Sequence, residues 1–157
     1  MYELGKSLWE AAYEYNRDAQ SMAERENYGR LLSVSIELAI ECYLKGIIEI
    51  SAQKDVDTLY GKSKVPHELD KLYKDAVNYS SNAFKFEATT LRELKGAFKD
   101  YNARRFPKKD VYVDIDENAI LFDLELMKDI EYKTKDFAKD YSLQNNEFID
   151  IQDYFNI

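Results

Sequence analysis

Apolar residues recur at helical spacing through most of the chain, and the spacing predicts where its elements lie. From about Glu3 to Arg25, the residues Leu4, Leu8, Ala11, Ala12, Tyr15, Ala19 and Met22 fall on one helical face. The next segment, roughly Tyr28 to Gln53, is apolar on nearly every side through Leu31, Leu32, Val34, Ile36, Leu38, Ile40, Tyr43, Leu44, Ile47 and Ile48. One polar line interrupts it: Ser33, Glu37, Glu41, Lys45 and Glu49, every fourth residue. A helix this apolar is either central to a bundle or shared with a second chain, so we expect a homodimer. The polar line reads first as a solvated face, with Glu41 placed four residues before Lys45 in the stabilising order for an ion pair. The alternative is a groove wall facing Arg104 and Arg105.

Downstream the pattern is more broken. The stretch "KDVDTLYGKSKVP" reads as a loop, with Pro66 in the first turn of a short third helix that turns Leu69, Leu72, Tyr73 and Ala76 inward. After "NYSSNAF" a fourth helix opens at Thr90, whose spacing to Glu93 fits a capping box. Its inner face is Leu91, Leu94, Phe98 and Tyr101, and Pro107 stops it near Arg105. "DVYVDI" alternates like a short extended piece. Asp116 then caps a fifth helix, with Ile120, Leu124, Met127, Ile130, Phe137 and Tyr141 inward. The pattern gives an all-α fold, a single-domain bundle of about five helices with short connections. The whole chain, 1–157, is one domain with its core at about 4–141. An acidic, aromatic tail at 142–157 either adds a short helix or stays mobile until bound.

Composition narrows the picture. Five Gly and two Pro in 157 residues are too few for many short strands and tight turns. Apolar residues make up 45% and charged residues 33%, interleaved, which excludes global disorder. A net charge of −8 argues against sequence-blind DNA binding, because a polyanion would be repelled at long range. The single cysteine, Cys42, lies mid-helix and reads as a small buried hydrophobe in a reducing compartment. No segment has the apolar length of a membrane span, and "MYELGKSLWEAAYEY" lacks the build of a signal peptide. We therefore expect a cytoplasmic protein without membrane association.

Candidate chemistry is sparse. "DYNARRFPKKD" is the one basic cluster, where Arg104, Arg105, Lys108 and Lys109 crowd a helix end beside Tyr101 and Phe106. Cations favour a helix C-terminus, which accounts for one or two of the four. Two adjacent arginines can also grip a phosphate while an aromatic ring stacks on a base. His67, the only histidine, is read as a structural hydrogen-bonder unless a partner group activates it as a base. Asp114, Asp116, Asn118 and Glu125 match the oxygen positions of a calcium loop, but Ala119 stands where the sharp turn needs glycine, and acids capping a helix explain the same residues. No phosphate-cradling glycine loop, Cys/His metal pattern or nucleophile elbow is present, so no metal or cofactor is expected.

Three segments occur in a suggestive order: Ala39, Glu41, Leu44 and Lys45; then His67, Leu69 and Leu72; then Tyr101, Arg105, Phe106 and Pro107. This order, spanning roughly Leu4 to Tyr141, resembles the HEPN domain family of small helical bundles. The resemblance implies a dimeric protein of a bacterial toxin–antitoxin, phage-defence or RNA-associated system. Many members are metal-independent ribonucleases in which an arginine, followed a few residues later by a histidine, acts on RNA across the dimer. Here Arg104 and Arg105 are followed by "FPKKDVYV", with no histidine downstream. That departure leaves Arg104 and Arg105 without the downstream histidine that would exchange protons near neutral pH. We therefore expect a binding module for nucleotide, RNA or a protein partner. Its ligand residues would be Tyr101, Arg104, Arg105, Lys108 and Lys109, with Lys45, Glu41 or His67 at the rim. Two alternatives stand: a ribonuclease with a rearranged site using Arg104, Arg105 and His67 as catalytic residues, and a structural interaction protein.

Overall fold

In the computed structural model, residues 4–97 and 117–145 are described, and they form six α-helices with no strand among them. The helices are α1 (Lys6–Glu24), α2 (Arg30–Ala52), α3 (Val56–Tyr60), α4 (Leu69–Tyr79), α5 (Ala88–Ala97) and α6 (Glu117–Asn145). α2 is the centre: it packs on α1, α3, α4 and α6, while α5 lies against α4 and α6. The all-helical bundle expected from the periodicity is present. α3 is an addition to it, cut from the stretch read as a loop. Asp55 starts this helix by accepting from the Thr58 backbone N–H (2.9 Å) and hydroxyl (2.9 Å).

α1 and α2 run antiparallel, and their fit depends on a large residue meeting a small one. The indole of Trp9, fully buried, lies directly over Gly46 and donates from Nε1 to the Tyr43 carbonyl at 3.1 Å. Buried positions on α1 are Trp9, Ala12, Asn16 and Ala19. Ala12 and Ala19 of the expected face are buried, but the face is centred about one residue beyond its Leu8–Ala11–Tyr15 part. Leu8, Ala11, Tyr15 and Met22 are half-buried at its flanks. Gly5 begins the helix in the left-handed conformation (φ 78), and a side chain there would press on Ile50.

The polar line on α2 is not a solvated face. Ser33, Glu37, Glu41, Lys45 and Glu49 are all buried, Glu37 completely. Helix geometry explains the correction. At roughly 100° per residue, each step of four advances about 40°, so the line winds through roughly 160° between Ser33 and Glu49. Such a line cannot share one exposed side of a helix that is covered from several directions. The same enclosure accounts for the apolar width of α2 within one chain. Leu31, in the first turn, is its one strongly exposed large hydrophobe. The argument from width to a homodimer therefore loses its basis.

Other boundaries shift for local reasons. α4 begins at Leu69 rather than at Pro66: Pro66 is buried in the extended stretch leading into it, and Leu72 N–H reaches the Glu68 carbonyl at 3.0 Å. Leu69, Leu72, Tyr73 and Ala76 face inward as expected. Thr90 is not a cap. It sits inside α5, buried, and its hydroxyl receives Lys133 Nζ at 3.0 Å. On α6 the expected face of Ile120, Leu124, Met127, Ile130 and Phe137 is buried, with Tyr141 at its margin. The basic cluster, the capping Asp116, the extended "DVYVDI" and the end of the tail lie outside the described residues.

The Trp9–Gly46 contact yields a contrast between two glycines. A Cβ at position 46 would stand 2.9 Å from the indole Cε2 and closer still to Nε1 and Cδ1, whereas nothing lies within 4 Å of one at Gly96. Gly46→Ala is expected to destabilise the fold by about 1–3 kcal/mol through overpacking. Gly96→Ala should stabilise it by up to about 1 kcal/mol, as alanine is the better helix former. Urea unfolding of both variants reads the difference; equal stabilities would mean that Trp9 does not need the space above Gly46.

Candidate functional site

Three of the residues singled out in the sequence meet in one place. α2 presents Glu41 and Lys45 one turn apart, and the extended stretch before α4 brings His67 onto them. His67 Nδ1 lies 3.0 Å from Glu41 Oε1, and Lys45 Nζ lies 3.4 Å from the other oxygen, Oε2. The side chains of Glu41 and Lys45 are 6% and 9% exposed, that of His67 56%. A buried carboxylate thus holds a buried ammonium on one side and an accessible imidazole on the other. Neighbouring contacts fix the approach of the histidine: Pro66 is buried just before it, and its own N–H donates to Glu68 Oε2 at 3.2 Å. Being buried, Glu41 and Lys45 are not exposed rim residues, in contrast to the expectation from sequence.

Two turns further along α2, Glu49 ties segments together. Its Oε1 accepts from Gly5 N–H at 3.0 Å and its Oε2 from Val56 N–H at 2.9 Å, at the starts of α1 and α3. Backbone N–H groups at helix starts lack intrahelical partners, and a carboxylate suits both their hydrogen bonding and the positive end of the helix. This role is structural.

The other expected ligand residues, Tyr101, Arg104, Arg105, Lys108 and Lys109, lie outside the described residues, as does Phe106. Among the described residues no group of three or more His, Cys, Asp or Glu side chains is placed to hold a metal ion. Of the calcium-loop positions, Asn118 and Glu125 are simply residues of α6.

A second polar centre joins α1, α2 and α6. Asn16, almost wholly buried, donates to Tyr43 Oη at 2.9 Å and to Glu131 Oε2, and accepts from Gln20. Tyr43 donates to the same Glu131 oxygen at 3.0 Å, and Lys135 holds the other at 3.3 Å. Above it opens a cleft of about 340 Å³ lined by Tyr13, Arg17, Gln20, Ser21, Glu24 and Lys135 with the network at its base. The sequence signal was present: Asn16 is the polar residue in register with Trp9, Ala12 and Ala19. A third cluster gathers Glu87, Asp129 and Thr90 around Lys133, at 3.1, 2.8 and 3.0 Å. Burial works against the Lys133 charge, but the bonds to Asp129 and Glu87 outweigh it and raise its pKa.

The sequence matches no family model, no curated protein and no solved structure. Among the described residues no helix is long and apolar enough to cross a membrane.

Burial also raises the pKa of three tyrosines. For Tyr43 burial is the main cause, reinforced by the charge of Glu131; for Tyr60 burial is followed by the hydrogen bond to Asp75, and for Tyr73 burial dominates. The folded protein therefore keeps phenolic protons that the unfolded chain gives up near pH 10. That contribution is fully present below about pH 10 and is lost as pH climbs toward the folded-state values. Stability should thus fall on the alkaline side, and Lys133 pulls the same way. Tyr43→Phe, which costs about 1 kcal/mol at neutral pH through its lost hydrogen bonds, should show a shallower alkaline decline. Urea midpoints measured from pH 8 to 11 test this; parallel declines in the two proteins would refute it.

Proposed function

We propose that this chain is a HEPN-like binding module for RNA or nucleotide, belonging to a bacterial toxin–antitoxin, phage-defence or RNA-associated system and without efficient nuclease activity. The observation that supports this reading is the meeting of Glu41 and Lys45 with His67. These residues belong to two of the three segments that carry the family resemblance, and they converge although 26 positions separate Glu41 from His67. The third segment supplies the cations. Arg104, Arg105, Lys108 and Lys109 form the densest positive run of a chain with net charge −8, and an anion has few other places to bind. Tyr101 or Phe106 would lie against a base. Dimerisation is carried by the resemblance alone.

One observation favours the second reading, a metal-independent ribonuclease with a rearranged site. An accessible imidazole backed by a buried carboxylate is built like a general base. What that reading lacks is a second proton-exchanging group beside Arg104 and Arg105, since His67 is the sole histidine.

Fluorescent single-stranded RNA incubated with pure protein in chelator tests both. We expect saturable binding that weakens as salt rises, by a factor near [salt] to the power 0.7 per phosphate contact, and no appreciable cleavage. Arg104→Ala with Arg105→Ala should abolish the binding, while Lys128→Gln, on the exposed side of α6, should leave it nearly unchanged. Cleavage that disappears in His67→Ala would replace the first reading by the second. Absence of both binding and cleavage would overturn both and favour a protein-interaction role.

A further inference from the structure

We propose that the cleft between α1 and α6 is a binding site for a free α-amino acid with an apolar side chain, held as its zwitterion. The floor of the cleft is directional. Tyr43 donates its hydroxyl proton to Glu131 Oε2, so the Tyr43 oxygen receives Asn16 Nδ2, which reaches the same carboxylate oxygen. Lys135 holds the other oxygen of Glu131, so that carboxylate is engaged on both sides. Asn16 therefore turns Oδ1 toward Gln20, and Gln20 must answer with its Nε2. The carbonyl of Gln20 is left as the end that faces a ligand. Asn16 is 1% exposed, so this order is fixed from within the core.

The walls supply a group for each end of an amino acid. Arg17 forms no ion pair among the described residues; its guanidinium lies over the Tyr13 ring, 5.9 Å from the centroid, which favours one orientation of the planar fork. With Lys135 across the cleft, it offers cationic N–H donors to a carboxylate. Glu24 stands two turns beyond Arg17 on the same side of α1, and with the Gln20 carbonyl it offers acceptors to an ammonium. The charges of the lining, Arg17 and Lys135 against Glu24 and Glu131, cancel. A ligand of one sign gains little from such a lining, whereas a zwitterion laid along it meets an opposite charge at each end. Gln20 and Glu24 also border a second cleft of about 340 Å³, which continues past Ala23, Leu121 and Leu124. An apolar side chain on the ligand fits there and covers Leu121, otherwise 42% exposed. Each space lies at the small end of ligand pockets, which run from about 300 to 1,000 Å³. The site uses none of the residues proposed above to hold RNA.

Titration of the full chain with L-leucine, followed through the side-chain amide signals of Asn16 and Gln20 in ¹H–¹⁵N spectra, tests this. Saturable shifts are expected. Glycine, which lacks the side chain, should bind about tenfold more weakly. Isocaproate, which is leucine without its ammonium, and isoamylamine, which is leucine without its carboxylate, should each bind about tenfold more weakly as well. Arg17→Gln should weaken leucine about tenfold and leave the affinity for isoamylamine unchanged. Glu24→Gln should weaken leucine without weakening isocaproate. Arg17 and Glu24 are both exposed, so neither variant threatens the fold. Absence of saturable shifts with leucine overturns the proposal, as does an Arg17→Gln protein that binds leucine unchanged. Isocaproate binding as tightly as leucine overturns the zwitterion, and glycine binding as tightly as leucine overturns the apolar end of the site.

Discussion

Enclosure of α2 on several sides is the constraint from which the rest of the architecture follows. A carboxylate or ammonium taken out of water costs several kcal/mol unless protein groups replace the lost hydration. α2 nevertheless carries Glu37, Glu41, Lys45 and Glu49 into the interior. Each charge on such a helix requires other parts of the chain to arrive at a defined place. Glu49 requires the starts of α1 and α3, which present N–H groups at 3.0 and 2.9 Å. Glu41 requires Lys45 from its own helix and the His67 stretch from outside it. Apolar contacts such as Trp9 on Gly46 fix how closely α1 approaches, while the charges fix its register and the path of the connecting segments.

How far this was legible in the sequence depends on what each position encodes. Helices with a simple apolar stripe were legible: α4 and α6 turn inward the residues that their spacing selects, because one face of each is packed and the other is wet. α1 is legible in part: Ala12 and Ala19 face the core as their spacing selects, but Asn16 also occupies a core position, and spacing counts only apolar side chains. α2 is legible as the central element, but its polar line reads locally as a solvated face. Local order allows a Glu–Lys pair at this spacing to be exposed or buried; tertiary neighbours decide, and those are distant in sequence. α3 was missed because five residues hold too few turns to show a period. At the site, His67 and Glu41 could each be named from sequence, but their pairing could not. It depends on how the 53–68 connection folds back over α2.

The energetics of the polar line bear on what it is for. Replacing a buried ion pair by apolar residues of similar volume is commonly neutral or stabilising by about 1–4 kcal/mol, whereas removing one partner costs about 3–5. A Leu or Met pair at 41 and 45 would therefore stabilise the bundle at least as well as Glu41 and Lys45 do, in a helix otherwise built from Ile, Leu and Tyr. Stability gives no reason to keep them. Register gives a reason for Glu49, whose two acceptor oxygens sit at two helix starts. For Glu41 the partner is different in kind: a half-exposed imidazole, which contributes little to the core and gains little from being anchored there. Anchoring costs that side chain its rotamer freedom and commits a buried carboxylate to one of its nitrogens. The pairing orients a surface imidazole rather than filling the core.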